Sequence, residues 1–258
     1  MVDQINVQAL QDAQGSLTGV WCVEISNPGK LNAMTRSMWR QLRDVFLQIQ
    51  QNPQVRCVLL QGHGEAFCAG GDISEYPAFR FDAASLEAFH EAEVWGGLSA
   101  ILACDVPVVA CIAGACMGAG VEIASCCDVR LVVDTAKFGA PIAKLGFPMA
   151  PKELQLVASS VGEHMAKRML LEAAVFSAQE MAAQGWCAAP VACGDIQALA
   201  LRTAQRIASL APQAARLNKQ ALRAIKMQST LPAPYAYANS HEHREGISAF
   251  IAKRKPNF

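Results

Sequence analysis

The stretch from Pro107 to Asp128 constrains the fold and chemistry of this chain more than any other segment. It opens with an apolar, β-branched run, Val108 to Ile112, which has the length and residue types of a buried strand. Closely spaced glycines follow, and the apolar residues after them predict a buried helix. The glycines let backbone approach a ligand without an intervening Cβ atom. The stretch therefore predicts a strand, a glycine turn and a helix.

Glu122 is the first ionisable residue in this predicted helix. Free N–H groups at a helix start favour an anion, so an oxyanion can form beside Glu122. A carboxylate next to a stabilised oxyanion indicates proton-transfer chemistry. The alternative is a turn that only packs a strand against a helix, with Glu122 as a capping carboxylate. Nucleotide-binding turns fit poorly, because Ile123 stands where a dinucleotide turn needs glycine and Ala119 where a phosphate loop needs glycine before lysine.

Composition excludes several classes of partner. The chain of 258 residues is 52% apolar and 17% charged, with a formal net charge of zero. We therefore expect no nucleic acid partner and no membrane partner. The N-terminus shows no signal-peptide pattern, so the expected location is cytoplasmic. The low charge content favours further burial between subunits.

Cysteine and histidine patterns point to no metal or disulfide. The ten cysteines lie mostly in apolar runs, and no Cys-x-x-Cys pair occurs, so we expect reduced, buried thiols. His241 and His243 are two residues apart on a predicted helix and face different sides. We expect neither a metal site nor a resident cofactor.

Strand and helix patterns alternate along the chain and predict an α/β fold. The first element is a hairpin, and Thr35 is placed to cap the next helix. Patterns beyond Pro151 are helical, and we divide the chain into an α/β core over residues 1–192 and a helical module over residues 193–258. The other predicted elements are the strands Val55–Gln61 and Val129–Val133, a glycine-rich loop Gly62–Asp72, and the helical segments Phe79–Ala103 and Pro234–Ala252.

An ordered set of motifs resembles the crotonase superfamily, the enoyl-CoA hydratase/isomerase fold, over nearly the whole chain. The resemblance implies a spiral of ββα units with a C-terminal helical oligomerisation module that forms a homotrimer or homohexamer. The motifs are Lys30-Leu31-Asn32-Ala33-Met34, Ala66 to Ile73, Gly114 to Asp128, Phe138-Gly139-Ala140-Pro141, and the closing Gly246 to Phe258.

The resemblance also implies catalytic roles. The backbone N–H groups of Gly71 and Ala119 would hold the thioester oxygen of a coenzyme A substrate, and Glu122 would be the acid/base. Ala119 departs from the glycine usual in the family, but alanine keeps its N–H. A larger departure is Ile142, directly after Pro141, where family hydratases have a second carboxylate. Glu75 and Glu153 are the two acids left open as substitutes.

Substrate contacts follow from the same resemblance. The implied substrate is an acyl-CoA thioester, and Lys30 is placed to meet a phosphate. The remaining implied substrate-binding residues are Ala33, Ala69, Asp72, Ile73, Pro141 and Ile142.

The predicted function is an acyl-CoA enzyme that stabilises a thioester enolate. With Glu122 as the only placed carboxylate, the preferred reaction is double-bond isomerisation of an enoyl-CoA. Hydration of an enoyl-CoA, decarboxylation of an acyl-CoA, and non-catalytic acyl-CoA binding are the alternatives.

Overall fold

The computed structural model describes residues 3–258, which form two sheets covered by helices. This mixed architecture confirms the predicted α/β class. The strands are β1 (Gln4–Gln11), β2 (Leu17–Ser26), β3 (Cys57–Gly62), β4 (Val108–Ile112), β5 (Ala115–Met117), β6 (Val129–Val132), β7 (Lys137–Gly139) and β8 (Val175–Ser177). The α-helices are α1 (Arg36–Gln51), α2 (Ala83–Ala88), α3 (Trp95–Ala103), α4 (Ala119–Ser125), α5 (Pro151–Val161), α6 (Glu163–Leu171), α7 (Ala178–Ala183), α8 (Ile196–Ala208), α9 (Pro212–Lys226) and α10 (His241–Ile251).

The larger sheet has the strand order β1-β2-β3-β4-β6. The predicted hairpin is confirmed, because β1 and β2 pair antiparallel, while the other neighbours pair parallel. Every residue of β4 is buried, as expected for a parallel strand covered on both faces. The carboxyl ends of β3 and β4 lead into the two glycine-rich loops, so both loops emerge at the same edge of the sheet.

The smaller sheet has the order β5-β7-β8 and joins the two glycine-rich loops. Cys68, in the first loop, forms a parallel bridge to Cys116 of β5. Gly71, in the same loop, forms a bridge to Met34. These bridges place the end of the first glycine loop beside the start of α4.

Two predicted elements differ from the structure. The turn between β4 and α4 contains the short strand β5, which the sequence pattern did not indicate. The predicted helix Pro234–Ala252 is broken: residues Ala236–Asn239 form a short 3-10 helix, and α10 begins only at His241. The Ser240 hydroxyl accepts a hydrogen bond from the backbone N–H of His243, a capping contact that starts α10 at this point.

The C-terminal helices differ in burial. Helix α8 packs on the larger sheet and contributes Ile196, Ala200, Ala204 and Ala208 to the core. Helix α9 has no buried residue, and α10 has only Ala249. The division at residue 192 stays a prediction. No helix within residues 3–258 combines the length and apolar character that a membrane crossing requires.

Candidate active site

Helix α4 carries Glu122 in its first turn. The residue before the helix, Gly118, has φ 48°, a left-handed conformation that favours glycine. Because Ala119 is the first helical residue, its N–H has no acceptor within the helix. Its φ is not positive, so alanine fits this position without backbone strain. Glu122 is 8% exposed. The local sequence therefore places the free N–H of Ala119 and the buried carboxyl of Glu122 on the same helical turn.

The backbone of Gly71 lies near the first turn of α4. Met34 donates its N–H to the Gly70 carbonyl oxygen at 2.8 Å and accepts from the Asp72 N–H at 2.8 Å. In a parallel bridge these flanking bonds direct the intervening Gly71 N–H to the other side. A Cβ atom at position 71 would lie 2.2 Å from the Tyr76 hydroxyl, so any side chain there would displace the tyrosine. Among residues 3–258, no protein acceptor pairs with the N–H of Gly71 or of Ala119.

Both donors and Glu122 line one cavity of about 340 Å³. The lining is mainly apolar, with Trp39, Val94 and Met149 among its side chains. An apolar cavity with a few convergent polar groups is the usual form of a small-molecule site. The predicted site residues that line this cavity are Ala69, Gly71, Ile73, Ala119, Glu122, Pro141 and Ile142.

Three predicted substrate contacts do not line the cavity. The Lys30 ammonium donates to the Asp72 carboxylate at 2.6 Å and to the Ser74 hydroxyl at 2.9 Å. Asp72 also caps the 3-10 helix Ile73–Ala78, and Lys30 lowers the pKa of the Asp72 carboxyl against the opposing effect of burial. Ala33 is buried, and its carbonyl oxygen accepts from the Asn27 side chain. Their predicted role in coenzyme A binding stays a prediction.

The Glu122 carboxyl is electrostatically unusual. Within residues 3–258, the hydrogen bonds at Glu122 involve its backbone groups, and its carboxyl has no protein partner. Burial raises its pKa to about 8, and the nearby charge of Glu153 adds to that shift. A carboxyl with such a pKa can accept or donate a proton near neutral pH.

The cavity also contains His90, which sequence reasoning did not assign, and Glu153, one of the two acids that it left open. Glu153 lies in the first turn of α5 and is 2% exposed, and its carboxylate oxygen Oε1 lies 3.0 Å from His90 Nδ1. His90 belongs to a π-helical segment, Phe89–Val94, a form frequent at functional sites. The other acid left open, Glu75, accepts the backbone N–H of Arg36 at 2.8 Å and does not line the cavity.

Ile142 lies where a second carboxylate was expected from the resemblance. It begins the 3-10 helix Ile142–Leu145 directly after Pro141, is half-buried, and lines the cavity. Its side chain offers no hydrogen bond to water or substrate. The second carboxyl group of the cavity, beside Glu122, belongs to Glu153 of α5.

The thiols near the cavity are chemically inert. Cys68 and Cys116 are fully buried, and burial raises the pKa of the Cys68 thiol to about 12. All ten cysteines are free. Across residues 3–258, no group of three or more histidine, cysteine or carboxylate side chains is placed to hold a metal ion.

Known proteins are similar to this chain over most of its length. A sequence model of the family described as "Enoyl-CoA hydratase/isomerase" matches residues 15–258. A protein named "Probable enoyl-CoA hydratase echA8" from Mycobacterium leprae is 30% identical over 251 residues, covering 93% of this chain and 94% of that protein. A "Crotonyl-CoA hydratase" from Syntrophomonas wolfei is 30% identical over 247 residues, covering 91% of this chain and 92% of that protein.

The fold is also shared with solved structures. The crystal structure of an "enoyl-CoA hydratase/ carnithine racemase" from Magnetospirillum magneticum superposes with a TM-score of 0.92 at 32% identity. That match covers 100% of this chain and 96% of the other. The chain therefore belongs to the enoyl-CoA hydratase/isomerase family of the crotonase superfamily, and it is an acyl-CoA-processing enzyme.

Proposed function

We propose that the enzyme forms a thioester enolate in this cavity and that its main reaction is the shift of an enoyl-CoA double bond. Glu122 moves the proton, and the backbone N–H groups of Gly71 and Ala119 hold the thioester oxygen. One observation carries the proposal: a buried carboxyl without a protein partner lies one helical turn from a free backbone donor in an apolar cavity.

The chemistry balances with one carboxylate. Ionised Glu122 takes a proton from C2 of a 3-enoyl-CoA, and the electron pair of the broken C–H bond moves toward the thioester oxygen to give a dienolate. The same carboxyl then returns the proton to C4, and the double bond ends between C2 and C3. Two fixed donors stabilise the oxyanion, each typically worth about 3 to 4 kcal/mol of the barrier. No other reactant is consumed.

Ile142 favours isomerisation over hydration. Addition of water needs a water molecule held and activated beside the double bond, and an aliphatic side chain provides no hydrogen bond for it. A dry environment also favours enolate formation, because fixed donors act more strongly where water is excluded. The apolar residue therefore suits a proton shift between two carbons of the substrate.

Hydration is the second candidate, and Glu153 favours it. Its carboxylate lines the same cavity as Glu122, and His90 holds one of its oxygens at 3.0 Å. The second oxygen can accept from a water molecule while Glu122 serves C2. The names of the similar proteins, which include a crotonyl-CoA hydratase, also support hydration.

The deciding assay measures both reactions in the same variants. We expect wild-type enzyme to convert 3-enoyl-CoA to 2-enoyl-CoA, Glu122→Gln to lose about 10² to 10⁴ of that rate, and Glu153→Gln to retain most of it. Ile142→Glu should raise hydration of 2-enoyl-CoA. The matched control is Glu87→Gln, which changes an exposed carboxylate outside the cavity.

The opposite pattern supports hydration. If wild-type enzyme hydrates 2-enoyl-CoA rapidly, isomerises slowly, and loses hydration in Glu153→Gln, the one-carboxylate proposal is wrong. Loss of carbon dioxide from a 2-carboxyacyl-CoA, measured alongside, reports decarboxylation through the same oxyanion donors.

A further inference from the structure

Arg80 is a cation in the cavity that contains Glu122. It follows the 3-10 helix Ile73–Ala78 and is half-buried. Its guanidinium carbon lies 3.7 Å from the centroid of the Phe147 ring and 4.6 Å from that of the Tyr76 ring. Arginine stacks on aromatic faces in this way while the edges of its guanidinium remain open to hydrogen-bond acceptors. The two rings therefore fix the position of the charge without using its N–H donors.

Within residues 3–258, the Arg80 side chain contacts the Tyr76 and Phe147 rings and has no hydrogen-bond or ion-pair partner. Three other arginines pair with carboxylates: Arg36 with Glu93, Arg223 with Asp105, and Arg254 with Glu245. Burial lowers the pKa of Arg80, and no carboxylate offsets this effect. A half-buried guanidinium without a protein partner keeps its N–H donors available to an anionic ligand.

Tyr76 connects Arg80 to the proposed reaction centre. The Tyr76 hydroxyl occupies the space that a Cβ atom of Gly71 would fill, and Arg80 packs over the ring of the same tyrosine. Tyr76 also contacts Phe89 edge to face, at 6.3 Å between ring centroids, and Phe89 adjoins His90. Arg80 thus lies one tyrosine ring from the Gly71 donor, and both residues line the same cavity.

Lys30 is separate from this position. It does not line the cavity, and Asp72 and Ser74 occupy its ammonium group. The predicted coenzyme A segments, residues 30–33 and 69–73, do not include Arg80. The surroundings of Arg80 are aromatic side chains of the cavity, which suit the methylene groups of an acyl chain.

We propose that Arg80 binds a carboxylate at the far end of the acyl chain, so that the preferred substrates are coenzyme A thioesters of dicarboxylic acids. This inference rests on the proposed function, because placing the thioester oxygen at Gly71 and Ala119 defines which end of the ligand lies near Arg80. A guanidinium binds a carboxylate through two parallel hydrogen bonds. A substrate that ends in a methyl group leaves those donors unpaired, so the site selects against it.

Binding of saturated thioesters tests this subsite without any turnover. Calorimetry would compare hexanedioyl-CoA with hexanoyl-CoA, and octanedioyl-CoA with octanoyl-CoA. We expect the wild-type enzyme to bind the dioyl member of at least one pair about ten-fold more tightly or better. Arg80→Met should abolish that preference and leave the affinity for the methyl-ended thioester within about three-fold. Arg80→Lys should retain part of the preference because it keeps the charge.

The matched control is Arg206→Met, which removes an exposed arginine outside the cavity and should leave the preference unchanged. Equal affinities of wild-type enzyme within both pairs would overturn the proposal. So would an Arg80→Met variant that binds free coenzyme A and all four thioesters equally weakly, since that result places Arg80 on a coenzyme A phosphate. A thermal melt of each variant identifies any loss that comes from unfolding, and Arg80→Lys then serves as the test variant.

The two proposals fail separately. A wild-type enzyme that prefers dioyl thioesters in binding but neither isomerises nor hydrates enoyl-CoA supports the subsite and contradicts the proposed function. A wild-type enzyme that isomerises 3-enoyl-CoA but shows no dioyl preference supports the proposed function and contradicts the Arg80 subsite.

Discussion

Glu122 is a buried acid whose charge state decides whether it can act as a base. Burial raises its pKa to about 8, so most of the free enzyme holds it protonated at pH 7. Abstraction of a proton from C2 needs the ionised form. The proposed chemistry is therefore linked directly to the titration of this one residue.

The first prediction is the pH dependence of the wild-type enzyme. We expect kcat/KM for isomerisation to rise with pH and to level off above a pKa near 8, because the fraction of ionised Glu122 grows through that range. The measurement is a pH profile at low substrate concentration. A profile that is flat from pH 6 to pH 9 would show that Glu122 does not titrate as the base.

The second prediction concerns Glu153. Its negative charge helps to raise the pKa of Glu122, so Glu153→Gln should lower that pKa and move the rising limb of the profile to lower pH. A Glu87→Gln control should leave the limb in place. An unshifted limb in Glu153→Gln would mean that burial alone sets the pKa.

Sequence reasoning reached some of these residues and not others. The local pattern of a glycine turn and a buried helix singled out Glu122, and the family resemblance nominated Gly71 and Ala119. The contact between His90 and Glu153 joins residues 63 positions apart. The stacking of Arg80 on Phe147 also joins residues that are far apart in the sequence. Such contacts depend on how separate elements pack, which no local pattern specifies.

Helix α4 is held at its C-terminal end by Arg130 from β6. The Arg130 guanidinium donates to the Cys127 carbonyl oxygen at 2.7 Å, to that of Ala124 at 3.3 Å and to that of Trp186 at 2.5 Å. The Ala124 and Cys127 carbonyl groups lie at or just beyond the last turn of α4, where a positive charge is favourable, and Trp186 follows α7. Arg130 therefore helps to fix the helix that carries Glu122.

The third prediction is that Arg130→Met lowers the free energy of unfolding by about 2 to 4 kcal/mol, because buried carbonyl groups lose a charged donor. Arg130→Lys should recover part of the loss. Chemical denaturation measures both variants. A loss below about 0.5 kcal/mol in Arg130→Met would show that these bonds add little to stability.

Element length decided which strands the sequence could predict. The five residues of β4 form an apolar run that periodicity recognises, and the structure places the strand at the predicted residues. Strands β5 and β8 have three residues each, too few to show an alternating pattern. Their pairing depends on β7 lying between them, so only the folded chain defines them.

At the scale of the whole molecule, the surface of the last two helices exposes several large apolar side chains. Ile225 of α9 is 73% exposed and Phe250 of α10 is 84% exposed. Other exposed apolar side chains in this region are Leu222, Met227, Ile247 and Ile251. Large exposed apolar side chains in such numbers favour a subunit interface.

The fourth prediction is that the enzyme is a trimer or a dimer of trimers through this surface. Ile225→Glu and Phe250→Glu should each shift the assembly toward monomer, because an interface would bury the added charge. Light scattering gives the mass. Leu17→Glu, which changes an exposed leucine of the first hairpin, is the control and should leave the mass unchanged. A monomeric wild-type enzyme at micromolar concentration would contradict the prediction.

The most direct test of the proposed chemistry is a crystal structure with acetoacetyl-CoA, a thioester that enolises readily. We predict that its thioester oxygen lies about 2.7 to 3.1 Å from both the Gly71 and the Ala119 backbone nitrogens, with the Glu122 carboxylate next to C2. A bound thioester whose oxygen contacts neither nitrogen, or whose C2 lies away from Glu122, would contradict the assignment of all three residues.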